Sequence, residues 1–497
     1  MLYSITLQHA ARYSPANPAI VRDSGSTTYA ELAIRVDSLA AEFLSHGVGA
    51  GDRLAVLLPN GAEFIEILYA CARLGIIAVP LNTRYAAAEI DAILSDCSPK
   101  GMLRHSTLPA PSVRTPWEVV IDEQPLLGAE GELPPPFYDP AAIFGLFYTS
   151  GTTGRAKGVM LTHQSLFANT QNCLPYFSMR KDSCYLHAAP MFHLADFPGL
   201  LCTVALGACQ TTIPRFELQL FCAAVQRYRV THCVLIPTMI NFLTLYPELN
   251  SFDLSSLQWV LYGGSPIAPE VLRRARAKLS GTRFTQGYGL TEASPVLTLL
   301  LDEDHTPERA LSCGRPPFGV ELRIAGPDGE TVKRGESGEL TARGLNIMKG
   351  YWNQPEATQY ALRDGWLYTG DICQQDEDGF YYIVDRAKDM IVTGGENVYS
   401  TEVEAALYGH PAIKEAAVIG IPDPQWGELV TACIVLKDGS TATVEDLAAH
   451  CRELIANYKV PRRIEFYERE LPKSGTGKIL KRTLREPFWQ GRARGVS

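Results

Sequence analysis

Between Ala141 and Leu161 the chain runs from an apolar stretch, Ala141 to Phe147, through Tyr148-Thr149-Ser150-Gly151-Thr152-Thr153-Gly154-Arg155-Ala156-Lys157-Gly158 into apolar Val159-Met160-Leu161. The first stretch reads as a buried strand. Small residues let backbone N–H groups close around phosphate oxygens, hydroxyls add donors, and the Lys adds charge. The segment is therefore a phosphate-gripping loop. It is not a Walker A, because Lys157 does not directly follow the second glycine as G-x-x-x-x-G-K-[ST] requires. A flexible Ser/Gly linker would explain neither the strand before it nor the apolar run after it.

A loop of this kind belongs with alternating strands and helices, and the rest of the chain supplies them. Thr28-Tyr29-Ala30-Glu31 is a capping box that opens an amphipathic helix running to about His46. Arg53 to Leu58 reads as a buried strand, Ala62 to Leu74 as a helix and Ile76 to Pro80 as another strand, which predicts an α/β fold with a mostly parallel sheet. Leu108 to Pro136, rich in Pro and polar residues, reads as a surface connection. A second α/β stretch holds a strand at Thr231 to Ile236 and a basic helix at Pro269 to Leu279. From about Gly319 short β segments such as Glu321 to Ile324 and Glu339 to Arg343 predict a β-rich subdomain. At 497 residues the chain exceeds one core, so at least two domains are expected.

Bulk properties exclude several classes. The net charge of −9 argues against a general nucleic-acid binder. The 12 cysteines are scattered without a CxxC, and Cys71, Cys202 and Cys233 lie in apolar runs, so they read as reduced core residues of a cytoplasmic protein. Met1 to Leu7 lacks the basic start and long apolar core of a signal peptide. No apolar run approaches the roughly 18 residues needed to span a bilayer, which leaves at most peripheral membrane contact.

Six motifs, in order, resemble those of the adenylate-forming superfamily of acyl-CoA synthetases, beetle luciferases and peptide-synthetase adenylation domains. They are the loop itself, Gln286-Gly287-Tyr288-Gly289-Leu290-Thr291-Glu292, Trp366-Leu367-Tyr368-Thr369-Gly370-Asp371, Asp385-Arg386-Ala387-Lys388-Asp389, Thr393-Gly394-Gly395-Glu396-Asn397 and Pro472-Lys473-Ser474-Gly475-Thr476-Gly477-Lys478. The resemblance, closest to the stand-alone acid–CoA ligases, implies a large N-terminal domain (residues 1–386) of stacked α/β subdomains plus the β-rich one. It implies a small mobile α+β C-terminal domain (387–497) hinged at Lys388. It further implies ATP, Mg²⁺ and coenzyme A as cofactor and cosubstrates, a small carboxylic acid as substrate, and a monomer or homodimer.

The chemistry explains the residues. A carboxylate is a poor acyl donor until attack on the α-phosphate of ATP converts it to acyl-AMP, and bringing two anions together demands positive charge between them. By resemblance Lys478 supplies that charge. Thr149, Ser150, Gly151, Thr152, Thr153 and Gly154 with Lys157 hold the departing pyrophosphate, and Glu292 with Thr149 holds the Mg²⁺, which needs only one or two protein carboxylates. Tyr288 stacks on adenine, with Gly263, Gly264 and Ser265 as the opposite wall and Gln286, Gly287, Gly289 and Thr291 around it. Asp371 accepts from the ribose hydroxyls, and Arg386 supports the ribose or α-phosphate.

For the second step the resemblance has the C-terminal domain swing so that Gly394, Gly395 and Glu396 line a pantetheine tunnel, with Trp426 packing on the CoA nucleotide. Arg84, Tyr458 and Lys459 are further candidates for its phosphates or adenine. In Pro190-Met191-Phe192-His193, His193 is expected to shield or gate the substrate carboxylate rather than act as a base. Phe197, Gly264 and Gly289 join it in the acyl pocket. Asp196 reads as a solvent-facing loop residue or, facing that pocket, as a group that deprotonates an amine nucleophile or contacts a polar substrate. The acid, fatty or aromatic, and the acceptor, CoA or instead an amine or carrier-protein thiol, stay open. Two departures from the family pattern are Ser400, where relatives usually carry Pro and which is expected to loosen its loop, and Arg155-Ala156 in place of an x-Pro pair.

The two half-reactions separate by mutation. Lys478→Ala is expected to abolish adenylation while sparing thioester formation from supplied acyl-AMP, and Gly395→Leu to do the reverse. Equal loss of both steps in both folded variants would sink domain alternation.

Overall fold

Strands Arg53–Leu57, Ile77–Pro80, Cys184–His187 and His232–Leu235 are buried almost throughout, as central strands of a parallel sheet covered on both faces must be. The computed structural model describes residues 1–490 apart from 125, 127, 150–155, 266, 268, 387, 388, 394, 395, 474–476 and 478. Two units emerge, Met1–Leu322 with Ala342–Tyr368, and Arg323–Thr341 with Thr369–Ser497.

The first unit holds two sheets. One has eight strands in the order Val296–Leu300, Arg283–Gly289, Trp259–Gly263, His232–Leu235, Cys184–His187, Cys209–Thr212, Pro18–Arg22, Gly25–Thr28. Its two edge strands are antiparallel and its inner strands parallel. The other has seven, in the order Gly350–Tyr351, Lys157–Thr162, Ile143–Thr149, Ile77–Pro80, Arg53–Leu57, Gly101–Arg104, Trp117–Val120. Parallel pairing gives way to antiparallel at the Ile143–Thr149/Lys157–Thr162 hairpin. Here the structure corrects the sequence reading, for the surface connection expected over 108–136 contains Trp117–Val120, an edge strand parallel to Gly101–Arg104. A four-residue strand amid prolines is too short to show a period.

Helices follow their local signals. Tyr29–Ser45 begins at the predicted box, with the Thr28 N–H donating to Glu31 Oε2 at 2.8 Å and the Thr28 hydroxyl accepting from the Glu31 N–H at 3.3 Å. Ala62–Leu74 ends at Gly75, whose φ of +74° suits a residue without Cβ. That helix is buried on nearly all sides, and its one inward carboxylate, Glu66, is met by Arg35 at 3.1 Å.

All the parallel strands within a sheet end on the same side, and in open α/β sheets ligands bind off those carboxyl ends. The segments expected to line the site follow them. In the eight-stranded sheet these are Pro190-Met191-Phe192-His193 beyond His187, 263–265 at the end of Trp259–Gly263, and 286–289 closing Arg283–Gly289. In the seven-stranded sheet the phosphate loop follows Thr149 and Arg84 follows Pro80.

The second unit includes the antiparallel pair of residues 371–375 and 381–386. It also includes a five-stranded sheet of Glu396–Val398, Ile391–Thr393, Gly427–Leu436, Ile413–Asp423 and Arg463–Phe466. Val403, Leu407, Leu447 and Cys451 of helices Ser400–Tyr408 and Val444–Leu454 pack with Val418, Val430 and Ile434. Leu484 of helix Lys481–Trp489 packs with Ile419, Cys433 and Val435, so helices cover both faces. All twelve cysteines are free and all but Cys209 are buried. Among the described residues no helix is long and apolar enough to cross a membrane.

Candidate active site

The base of the phosphate loop is a rigid hairpin. Thr149 stands opposite Lys157 and Tyr148 opposite Gly158 in antiparallel register. The Tyr148 hydroxyl donates to Asp96 Oδ2 at 2.5 Å, and Asn353 Nδ2 donates to the Asp96 carbonyl at 3.1 Å. On the hairpin's outer side Gly350–Tyr351 adds as a short strand, with Lys349 N–H donating to Met160 O at 2.9 Å and Trp352 N–H to Gly158 O at 2.8 Å. This addition brings Tyr351 to the site. Its hydroxyl donates to Glu292 Oε1 at 2.8 Å, and its ring centroid lies 4.8 Å from Lys157 Nζ. The Met348 N–H holds the Glu292 carbonyl at 2.8 Å. Burial, reinforced by the Glu292 charge, raises the Tyr351 phenol well above its ordinary value, so it stays a donor. Thr149, Lys157 and Glu292 thus lie on one connected surface, while Ser150, Gly151, Thr152, Thr153 and Gly154 lie outside the described residues. Tyr351 was missed because its partners come from pairing with a strand nearly two hundred residues earlier.

The two expected adenine walls are adjacent strand ends, with Gly263 opposite Gly287 and Tyr262 opposite Gln286. Glycine is required where they touch. A Cβ on Gly263 would lie 2.2 Å from the Gly287 carbonyl oxygen, and one on Gly289 would lie 1.8 Å from that of Pro295. Gly264 and Ser265 continue past the first strand end; Tyr288 is half-buried against the core, and Thr291 and Glu292 form the single turn Thr291–Ala293.

The His193 segment is anchored from the other sheet. Asn60, buried at the end of Arg53–Leu57, donates to the carbonyls of His187 at 3.2 Å and Ala189 at 2.8 Å and accepts from the Met191 N–H at 2.8 Å. His193 Nδ1 accepts from the Ala195 N–H at 3.2 Å. Burial lowers the His193 imidazole to about 4, so it is neutral near pH 7 and can gate a carboxylate without pairing with it.

Asp196 departs from the solvent-facing expectation. It is 1% exposed, accepts from the Tyr185 hydroxyl at 2.9 Å and pairs with His187 Nδ1, while His187 Nε2 lies 2.9 Å from Gln210 Oε1. A buried carboxylate needs such partners, and strands Cys184–His187 and Cys209–Thr212 supply them. The neighbouring Phe197 is buried with its ring edge-on to Phe147 at 5.0 Å.

In the second unit Asp371 and Arg386 are opposite residues of one antiparallel pair, and Asp371 is 3% exposed. Just before Asp371, the Thr369 hydroxyl donates to Leu340 O at 2.8 Å and the Gly370 N–H to Glu339 Oε1 at 2.9 Å. Lys388, Gly394, Gly395 and Lys478 lie outside the described residues, and Glu396 opens the strand opposite Thr393.

Ser400 does the opposite of loosening its loop. Its N–H donates to Asp385 Oδ2 at 2.5 Å and its hydroxyl to Asp385 Oδ1 at 3.0 Å, and the hydroxyl accepts from Lys481 Nζ at 2.5 Å. A proline here would offer none of these.

The candidate CoA residues divide. Trp426 is half-buried with the exposed Arg462 guanidinium 3.8 Å from its ring centroid, adding a cation that the sequence reading did not include. Tyr458 is 39% exposed. The Lys459 ammonium is held by both Glu402 oxygens at 2.7 and 2.8 Å. Arg84 is exposed, its N–H held by Asn82 Oδ1 at 2.9 Å.

The parallel strand ends, the hairpin whose strands end at Thr149 and begin at Lys157, and the neighbouring Glu292 carboxylate are the described parts of this α/β site. A family model described as AMP-binding enzyme matches residues 7–352, and one described as AMP-binding enzyme C-terminal domain matches 402–478. Feruloyl-CoA synthase of an Amycolatopsis species is 42% identical, over 96% of this chain and 97% of that one. The o-succinylbenzoate CoA synthetase of Bacillus subtilis in complex with its acyl-adenylate intermediate has a TM-score of 0.87 at 31% identity, over 96% of this chain and 97% of that one. The same enzyme is also solved with ATP and a magnesium ion. An amide bond synthetase from Marinactinospora thermotolerans has a TM-score of 0.86 at 30% identity, over 97% and 99%. The chain belongs to the AMP-binding enzyme family.

Two expectations follow. Burial lowers His163 to about 3 and His193 and His232 to about 4, below the ordinary 6.5, so the unfolded chain binds more protons between those values. Their neutral-form stability is complete above pH 6.5 and is lost as pH falls toward 4, at about 1.4 kcal/mol per pH unit for each extra proton taken up. Unfolding free energies across that window are expected to show this slope, with His193→Gln reducing it by one proton. Separately, Ser400→Ala is expected to cost about 1–3 kcal/mol by leaving Asp385 and Lys481 short of a partner. A denaturation midpoint for the second unit equal to wild type would refute the clamp.

Proposed function

We propose that the protein is an ATP-dependent ligase that activates an aromatic carboxylic acid as its acyl-adenylate and transfers the acyl group to the thiol of CoA. The likeness to feruloyl-CoA synthase, 42% along nearly the whole chain, carries this reading. The substrate carboxylate attacks the α-phosphorus of ATP and expels pyrophosphate. The CoA thiolate then attacks the acyl carbon and expels AMP.

In this reading Thr149, Lys157 and the intervening loop hold the pyrophosphate end, and Gly263 to Ser265 and Tyr288 flank adenine. Asp371 and Arg386 serve the ribose and α-phosphate. Lys478 lies between the reacting anions, where a fixed cation lowers the barrier most. His193, neutral and half-buried, lets the carboxylate approach without forming an ion pair that would hold it back. Residues 387–497 turn about Lys388 between the steps, exchanging Lys478 for the Gly394-Gly395 loop, and Trp426 with Arg462 receives the CoA nucleotide.

The donors at Glu292 fit Mg²⁺. Tyr351 occupies Oε1 and leaves Oε2 available, Thr149 adds a hydroxyl, and a magnesium ion on phosphates needs little more than one such hard oxygen from the protein. Bound there, the ion would neutralise charge on the departing pyrophosphate.

The likeness to an amide bond synthetase favours a second reading, in which an amine accepts the acyl group. Asp196 was its best candidate base, and both Asp196 oxygens are engaged by Tyr185 and His187, which supports the thiol instead.

AMP release from MgATP across aromatic and fatty acids, with and without CoA, tests the proposal. CoA-stimulated release with an aromatic acid is expected. Preference for fatty acids would overturn the substrate class, and release stimulated by amines but not CoA would overturn the acceptor.

A further inference from the structure

Lys157 and Glu292 carry opposite charges beside the same tyrosine, yet among the described residues no ion pair joins them. Had they paired, each would neutralise the other and neither would be available to a polyphosphate or a cation. Tyr351 meets both in different ways. Its hydroxyl donates to Glu292 Oε1 at 2.8 Å, and the Lys157 ammonium lies 4.8 Å from its ring centroid, within reach of a cation–π contact. The tyrosine is itself fixed. It is 9% exposed, its backbone pairs opposite Val159, and its N–H donates to Thr358 Oγ1 at 2.9 Å.

We propose that Tyr351 is the positioning residue of the phosphate end of the site, holding the Glu292 carboxylate in the orientation that receives a divalent cation while its ring steers the Lys157 ammonium away from that carboxylate and toward the phosphates. The inference rests on the adenylation reading above and deepens it. The hydroxyl and the ring have separable tasks, because Tyr351→Phe keeps the ring and loses the donor, whereas Tyr351→Leu loses both.

Wild-type ATP–pyrophosphate exchange is measured first, and its absence with every acid overturns the adenylation reading itself. With exchange present, Mn²⁺ binding to the enzyme–ATP complex is followed by electron paramagnetic resonance, and pyrophosphate binding by calorimetry without metal. Tyr351→Phe is expected to weaken Mn²⁺ binding by roughly tenfold or more, the usual effect of losing a partner that orients a metal ligand. It should leave pyrophosphate binding unchanged, and excess Mg²⁺ should restore the rate of exchange. Tyr351→Leu is expected to weaken both. Unchanged Mn²⁺ affinity in Tyr351→Phe overturns the inference. So does an equal loss of both affinities in the two variants, which marks a merely structural role. Thermal melts matched to wild type confirm that the comparison is between folded proteins.

Discussion

The pairing of Gly350–Tyr351 with Lys157–Thr162 is the constraint on which the phosphate end of this site depends. Two residues of antiparallel ladder deliver an aromatic side chain between a lysine and a carboxylate that come from different sheets. Without that side chain the cation and anion lie free to neutralise one another. With it, a polar hydroxyl and a polarisable ring face keep both charges engaged yet unspent. The same ladder closes the outer side of the hairpin, so Thr149 and Lys157, opposite one another at its end, are fixed in register.

A second theme is the use of buried polar groups to hold segments that carry no regular structure. Asn60 makes three backbone hydrogen bonds to the chain between His187 and Met191, bridging the two sheets of the first unit just before His193. Asp196, three residues beyond, is tied to Tyr185 and His187, and through His187 to Gln210. Such groups are costly to leave unsatisfied, which is why they specify one arrangement of the loop rather than several. In the second unit Ser400 joins Asp385, next to Arg386, to Lys481, three residues past Lys478. The strand Tyr381–Arg386 and the start of the last helix are therefore linked through Ser400.

Much of this was legible in the chain. The helices Tyr29–Ser45 and Ala62–Leu74 follow from a capping box, apolar spacing and a terminal glycine, all local signals. Glycines 263 and 289 lie in motifs that the resemblance singled out, and each is now explained by a carbonyl oxygen where a Cβ would be. What escaped reading is equally specific. The edge strand Trp117–Val120 is too short to show a period. Asp196 looked like a loop acid because the turn that returns it to His187 and Tyr185, nine and eleven residues earlier, carries no periodic signal. The carboxylate that holds Lys459, Glu402, lies 57 residues away. Ser400 looked like a weakened proline position because its three contacts come from Asp385 and from Lys481 of the last helix.

The amino-acid sequence by itself determined the hydroxyl- and glycine-rich loop motif, the capped helices, the longer strands and the family, since each depends on residue types at fixed local spacings. Only the tertiary structure decided which charged and polar side chains are committed and which remain free. Tyr351 with Glu292, Asn60 with the His193 segment and Lys459 with Glu402 are pairs distant in sequence, and Asp196 meets His187 only because the chain between them turns back onto strand Cys184–His187. The physical reason is that a polar group's partner is chosen by which strands lie side by side, and strand order is a property of the whole fold rather than of any stretch of it.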